Sequence, residues 1–416
     1  MAEEDLAVWL YGDVVATIEQ QRGRMRLTYS EAARERYPPG IPLLSLPLPL
    51  TRQRYTDGVV RPFLDGLLPE GASRLAIAND LNLRAADTFG LIRALGRDCA
   101  GAVVIQPRAD PPPEHPTTHT AERLTEPQLG ELVANLRSAP LGITDRVRIS
   151  LAGVQEKLVL TRMPDGSWGS PVDGTPSTHI LKPELAEYPH TVANEAFCMR
   201  LAKRLGIDVA VVETTAVNTR KLIVVERFDR VVRDDGSVER LHQEDFCQAT
   251  GTPPAKKYQE DGGPSLRRIA DILQAVATPD SVERLLRAVT LNVLIGNGDA
   301  HAKNFSLLHS PSGTLQITPL YDLMSTKYYG DDRLAMYVDD VRRTSRVTAD
   351  RIINEAVDWG ISRRRAVDVV ADLIERTPRA MHAAREETDS VPSEVPGIID
   401  AQLVQLRSGF DTAIKS

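Results

Sequence analysis

The sequence is poor in cysteine, carries no excess of positive charge and has no long apolar run, and each absence removes a class of protein. Its three cysteines, Cys99, Cys198 and Cys247, are odd in number and widely spaced, which suits neither a disulfide framework nor a zinc knuckle. A reducing compartment, the cytoplasm, is the expected setting. Lys and Arg total 50 against 57 Asp and Glu, a net charge of -7, and no Lys/Arg run breaks that balance, so a general affinity for nucleic acid is disfavoured. Any contact with DNA is expected to be local or to pass through a partner. No stretch approaches the roughly 18 apolar residues that span a bilayer, and the opening MAEEDLAVWL is acidic where a secretory signal is basic. Neither export nor membrane insertion is expected.

The 416 residues allow two or three domains at roughly 150 residues each. Five prolines in PRADPPPEHPTTHT, Pro107 to Thr120, exclude a helix or a central strand and mark a linker. Before it, residues 1–106 read as a small mixed α/β subdomain. There, two apolar runs flank Tyr11-Gly12-Asp13 between Leu6 and Ile18 as a hairpin, and short helices fall between Ser73 and Leu95. Residues 121–264 contain β-like runs at Leu158–Thr161, Thr178–Leu181, Val209–Thr214 and Lys221–Val225, interrupted by one helical pattern, Val192–Leu205. From 265 to 416 the period becomes helical, with Leu266, Ile269, Ile272 and Leu273 on one face and Val282, Leu285, Leu286, Val289, Val293 and Leu294 on another. Arg363 to Arg365 read as a solvated helix face.

The helix ending near Ile295 runs into Gly296-Asn297-Gly298-Asp299-Ala300-His301-Ala302-Lys303-Asn304, a loop dense in groups that bind protons, phosphate or metal. Phe305–Leu308 and Leu315–Thr318 then flank Ser310-Pro311-Ser312-Gly313, a hairpin signal, and Asp322 follows. Helix, Asp, an Asn five residues on, hairpin and a second Asp form the order that kinase-type phosphoryl transfer requires. In that order Asp299 positions the attacking hydroxyl, while Asn304 and Asp322 hold Mg²⁺ against nucleotide phosphates. Taken singly, these residues would be ordinary turn formers; three coincident placements argue for the site. His301 has either an orienting or a catalytic part.

Upstream candidates complete the set. Lys182 ends the run Thr178–Leu181, where a strand lysine reaches the α and β phosphates, and Glu195 on the next helix is spaced to pair with it. Ser150-Leu151-Ala152-Gly153-Val154-Gln155-Glu156-Lys157 precedes a strand, as a phosphate-covering loop does, although it has one glycine only. Val224-Val225-Glu226-Arg227-Phe228-Asp229 runs from an apolar strand into a charged segment whose backbone can bond adenine.

With these residues in view, the chain resembles the HipA family of serine/threonine kinases, the toxin halves of bacterial type II toxin-antitoxin pairs. The N-terminal segments carrying the resemblance are FLDGLLPEG (Phe63 to Gly71) and DCAGA (Asp98 to Ala102). They are followed by RISLAGVQEK (Arg148 to Lys157), THILKPE (Thr178 to Glu184), NEAFCMRLA (Asn194 to Ala202), VVERFDR (Val224 to Arg230), HQEDFCQA (His242 to Ala249), GNGDAHAKNFS (Gly296 to Ser306) and PLYDLMS (Pro319 to Ser325).

The resemblance implies an α+β, two-lobed protein-kinase-like fold with a small N-terminal mixed subdomain, a mainly helical C-terminal lobe, and ATP and Mg²⁺ between the lobes. It makes Asp299 the catalytic base, with His301 and Lys303 beside it in the same catalytic loop. Asn304 and Asp322 become the Mg²⁺ ligands. The nucleotide set becomes Gly153, Val154, Gln155, Lys157, Lys182, Glu226, Arg227 and Phe228, and Ser150 the autophosphorylated serine. It further implies a cytosolic protein substrate, in the family's known cases an aminoacyl-tRNA synthetase, whose phosphorylation arrests translation. The implied partner is a small helix-turn-helix (HipB-like) antitoxin, through which the pair sits on its operator DNA and co-represses it. The chain lacks GxGxxG, His-Arg-Asp and Asp-Phe-Gly, which suits this family and no ordinary protein kinase.

Three other readings compete. Asn297, Asp299 and His301 resemble part of a two-metal phosphoesterase site, but that chemistry needs further His ligands, and the eight histidines are scattered. A small-molecule kinase would share the Asp/Asn/Asp arrangement. A catalytically silent co-repressor would have no reason to keep all three residues.

Overall fold

A computed structural model describes residues 5–113, 116–136, 140–142, 149–153, 155–310 and 313–413, with side chains of the last helix as far as 408. Strands and helices gather into two compact units. One comprises Met1–Pro183, Ala216–Ala255 and Leu308–Gly313, the other Glu184–Thr215, Lys256–Leu307 and Thr314–Ser416. The α+β class expected from the sequence is the class observed.

The first unit opens on the expected hairpin. Leu6–Leu10 pairs antiparallel with Asp13–Gln21, and Tyr11 and Gly12 join them with φ of 52° and 88°. Two positive φ values match the right-handed twist of the strands they connect. The sheet runs Tyr55–Thr56, Arg24–Tyr29, Asp13–Gln21, Leu6–Leu10, Val104–Pro107. Its alternation puts Leu6, Val8, Ile18, Met25 and Leu27 into one core with Phe63, Leu64 and Leu67 of the helix Asp57–Leu67. The short helices expected after residue 73 are Gly71–Asp80 and Thr88–Leu95.

A second sheet in this unit orders Arg220–Glu226, His179–Pro183, Leu158–Arg162, Trp168–Ser170 and Glu122–Arg123. Its register sets Lys182 opposite Ile223 and Glu226 opposite His179. Where the proline-rich linker is expected, the chain is docked. Thr118–Thr120 makes one 3-10 turn, the Thr118 N–H and Thr117 hydroxyl both donate to the Gly236 carbonyl, and Val238 N–H donates to the Pro116 carbonyl. Prolines cannot donate to a ladder, but the carbonyls and threonines around them can still anchor the segment; His115 lies outside the described residues.

The second unit is mainly helical: Thr191–Arg204, Leu266–Val276, Ser281–Leu294, Ala349–Asp358, Arg363–Glu386 and Glu394–Ala413. Arg363 to Arg365 are exposed as expected, with Arg365 paired to Glu283 at 2.7 Å. The strand expected at Val209–Thr214 lies three residues later, at Val212–Val217. Val209 instead makes a single parallel bridge to Leu320, and the Ala210 N–H donates to the Leu320 carbonyl.

Candidate active site

The helix Ser281–Leu294 is buried along nearly its whole length, so its end is a rigid mount. Gly296 closes it at φ +64°, the left-handed conformation that glycine adopts without penalty. Asn297 then acts as a strut. Its Nδ2 donates to Asn292 Oδ1 at 2.8 Å and its Oδ1 accepts the Asp299 N–H at 3.1 Å. Both ends of that amide are engaged in holding the loop to the helix end. Gly298 is pinned by Thr326 Oγ1 at 2.7 Å, and a Cβ there would come within 2.3 Å of the Arg333 carbonyl.

Asp299, Asn304 and Asp322 are brought into one neighbourhood of the second unit. Asn304 Nδ2 donates to Asp322 Oδ2 at 2.9 Å, and Asn304 Oδ1 accepts the His301 N–H at 3.2 Å. Asp322 stands at φ +59°, a conformation uncommon outside glycine that Asn and Asp tolerate best. Its neighbours hold it there. Tyr321 Oη donates to the Lys303 carbonyl at 2.7 Å, and buried Asn194 brackets Ser325, donating to its carbonyl at 3.1 Å and accepting its N–H at 2.9 Å. Lys303 is buried in the same loop.

Sequence reading missed Tyr258. Its hydroxyl donates to Asp299 Oδ1 at 2.9 Å, its ring meets that of His301 edge-on at 5.4 Å, and the neighbouring Lys257 carbonyl accepts the Ala302 N–H. Nothing in the local pattern around Lys257-Tyr258 signals a partner 41 residues ahead.

The surroundings set the charge of each group. Protein packed against the Asp299 carboxylate pushes its pKa up to about 6; the Tyr258 hydrogen bond and Lys257 pull it down, and the Asp322 charge pushes it up. Asp299 is nevertheless exposed to solvent, and water reaching the carboxylate moderates the rise. His301 is driven down to about 3 by burial first, then by Lys257 and Lys303, so it is a neutral imidazole at physiological pH. Among the described residues its Nδ1 has no hydrogen-bond partner.

The remaining expected residues, Glu195 apart, lie on the first unit. Lys182 is buried within His179–Pro183, while Glu195 is buried on the second unit's helix Thr191–Arg204. Glu226 is exposed at the end of its strand and Phe228 is half-buried. Gly153 has φ +119°, Gln155 is partly exposed, Lys157 Nζ hydrogen-bonds the Ala152 carbonyl, and Val154 lies outside the described residues.

Two placements refine the expectation. The segment of Arg227 is expected to bond adenine through its backbone, and the Arg227 side chain is buried and engaged by Asp229, Ser177 and the Cys99 carbonyl, so the backbone and not the guanidinium is what this residue can offer a nucleotide. Ser150 is fully buried. Its hydroxyl donates to the Leu67 carbonyl at 2.7 Å and its N–H to the Asp98 carbonyl at 2.9 Å, so modification requires the segment to leave this seat.

Residues 149–381 match the model of the HipA-like C-terminal domain and residues 6–106 that of the HipA N-terminal domain. The kinase candidate Y4mE of Sinorhizobium fredii is 38% identical over 93% of both chains. The serine/threonine-protein kinase toxin HipA of Shewanella oneidensis is 34% identical over 78% of this chain and 77% of its own. Among solved structures, a chain of the Shewanella oneidensis toxin-antitoxin complex of HipA, HipB and operator DNA superposes with a TM-score of 0.83 at 26% identity, covering 99% of each chain.

Proposed function

This chain belongs to the HipA family, and we propose that it is an ATP- and Mg²⁺-dependent serine/threonine protein kinase, the toxin of a toxin-antitoxin pair. The observation that carries the reading is the mounting of Asp299 on a buried helix end, with Asn304 and Asp322 in contact with each other nearby. In this reading Asp299 accepts the proton of a substrate hydroxyl, whose oxygen forms a bond to the γ-phosphorus as the bond to the bridging oxygen breaks and ADP departs. His301, held neutral, adds no charge where the phosphates gather.

Asn304 and Asp322 fit Mg²⁺. They offer hard oxygen donors in a small number, as suits an ion that keeps waters and shares phosphate oxygens. When bound, Mg²⁺ neutralises charge developing on those oxygens. Lys182 is assigned to the nucleotide phosphates, with Gly153, Val154, Gln155 and Lys157 in the covering loop, and Glu226 and Phe228 to adenine. Arg227 supports the adenine segment from behind. Label transfer from γ-labelled ATP to protein tests the reading as a whole.

A base must be ionised to act, so kcat/KM is expected to fall as pH drops through the raised Asp299 pKa, near 6. The Tyr258 hydroxyl stabilises the ionised form. Tyr258→Phe should therefore raise that pKa and move the acid limb of the pH-rate profile upward by about one unit or less. An unmoved limb would remove Tyr258 from the account.

Ser150 is proposed as a self-inactivation switch. A phosphate adds about -1.5 to -2 charge at pH 7, and the seat at the Leu67 carbonyl presents an acceptor that repels it. Incubation with Mg²⁺ and ATP should put a single phosphate on Ser150 by mass spectrometry and weaken ATP binding. Unchanged affinity in the phosphorylated protein would contradict the switch.

The structural neighbour is part of a complex with HipB and operator DNA, which supports a helix-turn-helix antitoxin as partner and, through it, co-repression. At a net charge of -7 the isolated chain should shift operator DNA poorly in a mobility assay; tight, salt-sensitive binding without a partner would contradict this. The proposed substrate is a cytosolic protein, with aminoacyl-tRNA synthetases the first class to assay.

A further inference from the structure

The two N-terminal segments Phe63–Gly71 and Asp98–Ala102 are distinctive in sequence, yet the phosphoryl-transfer reading gives them no work. In the first unit they grip both segments assigned to the nucleotide. On one side, the Ser150 N–H donates to the Asp98 main-chain carbonyl at 2.9 Å and the Ser150 hydroxyl to the Leu67 carbonyl at 2.7 Å, while the Glu70 N–H reaches the Gly153 carbonyl at 3.3 Å. These bonds fix the start of the loop assigned to the phosphates.

On the other side, the Asp98 carboxylate accepts from Arg230 at 2.9 Å and from the Ser177 N–H at 3.0 Å. The Ser177 hydroxyl also donates to Asp98 and accepts from Arg227 at 2.7 Å. Arg227 and Arg230 reach the Cys99 carbonyl at 2.9 and 2.8 Å, and the Gly101 N–H donates to Asp229 Oδ2 at 2.7 Å. Gly101 stands at φ +79°, and a Cβ would lie 2.8 Å from the Gln243 nitrogen and from His242 Nδ1. Only glycine permits this approach. Phe228, assigned to adenine, therefore sits between two residues whose side chains are clamped by the N-terminal domain.

We propose that Asp98 is a positioning residue that ties the Ser150–Gly153 loop to the Glu226–Asp229 segment, its carbonyl holding the first and its carboxylate the second. The N-terminal domain is then part of the framework of the nucleotide site. This rests on the nucleotide roles proposed above for the loop and for Phe228.

The test compares wild type, Ser177→Ala, Asp98→Asn and Phe228→Ala in the full-length chain, below the unfolding temperature of each. Affinity for a fluorescent N-methylanthraniloyl ATP is measured beside kcat at saturating Mg²⁺ and ATP. Ser177→Ala removes one hydroxyl and no charge, so it remains informative if Asp98→Asn does not fold. The expected result is a rise in dissociation constant of about threefold for Ser177→Ala and about tenfold or more for Asp98→Asn, with kcat at saturation nearly unchanged. A purely structural role would lower thermal stability without this split. Wild-type affinity in folded Ser177→Ala and in every folded Asp98→Asn preparation, or a fall in kcat at unchanged affinity, would overturn the proposal. Phe228→Ala separates the premise: unchanged ATP binding there overturns the adenine assignment itself.

Discussion

Asp299→Asn is expected to slow phosphoryl transfer by a factor of about 10² to 10⁴, the usual cost of losing a positioned base, while leaving the fold and nucleotide binding intact. The substitution is nearly isosteric and leaves the Asn297 strut untouched, because that bond is made to the main-chain N–H at 3.1 Å. The Tyr258 hydroxyl at 2.9 Å can still bond the amide oxygen. What disappears is a group able to take the hydroxyl proton. Asp322→Asn should differ in kind, weakening Mg²⁺-dependent nucleotide binding. Single-turnover rates with γ-labelled ATP, set beside nucleotide affinity for each variant, separate the two. An Asp299→Asn protein that transfers phosphate at the wild-type rate would remove Asp299 from the chemistry.

Asp229→Ala is expected to destabilise the first unit by about 3 to 5 kcal/mol, the range for breaking a buried ion pair by removing one partner. Asp229 accepts from Arg227 Nε at 2.9 Å, from Arg227 NH2 at 2.8 Å, from the Gly101 N–H at 2.7 Å and from Gln243 at 3.0 Å, all in an interior where Arg227 and Arg230 are almost fully buried. Alanine would leave two guanidinium groups with one carboxylate, Asp98, between them and Arg240. Urea unfolding measures the loss; a change below about 1 kcal/mol, the scale of an exposed pair, would show that the network contributes little.

The same network sets a pH dependence. Burial alone would raise the pKa of Asp229, but Arg227 and Arg230 outweigh it and hold the carboxyl well below its ordinary value. Asp98 is likewise held low: burial is the largest single influence and raises it, but Arg230, Arg227, Arg240 and the Ser177 hydrogen bond together outweigh it. A carboxylate depressed in the folded state contributes stability that is present above its unfolded pKa, about 3.9, and is lost as pH falls toward the folded value. The acid-labile part of the stability should therefore shrink in Asp229→Ala.

The candidate site is legible in the sequence because its parts are local. Asp299 and Asn304 lie in one loop, and Asp322 follows a hairpin whose turn residues announce it. Elements with strong periodicity were legible too: the helix expected at Val192–Leu205 forms at Thr191–Arg204, and those of 265 onward begin as Leu266–Val276 and Ser281–Leu294.

What the sequence concealed depends on distance along the chain. The burial of the Arg227 side chain is not legible, since its partner Asp98 lies 129 positions earlier. Ser150 reads as a loop serine, since the Leu67 carbonyl that buries it lies 83 positions away. Tyr258 sits in a loop with no periodic pattern, and only tertiary packing brings it to Asp299. The anchoring of the proline-rich stretch is hidden for another reason: missing donors forbid ladder pairing but not docking through carbonyls and threonine hydroxyls.

The most direct test of a kinase built on Asp299 is the fate of the labelled phosphate when the purified chain is incubated with Mg²⁺ and ATP carrying label at either the α or the γ position. The account predicts protein-bound label from γ-labelled ATP alone, recovered as phosphoserine, abolished by chelating Mg²⁺ and reduced at least a hundredfold in Asp299→Asn, about the lower bound for a lost base. Label from α-labelled ATP, release of inorganic phosphate without protein labelling, or undiminished labelling in Asp299→Asn would contradict it.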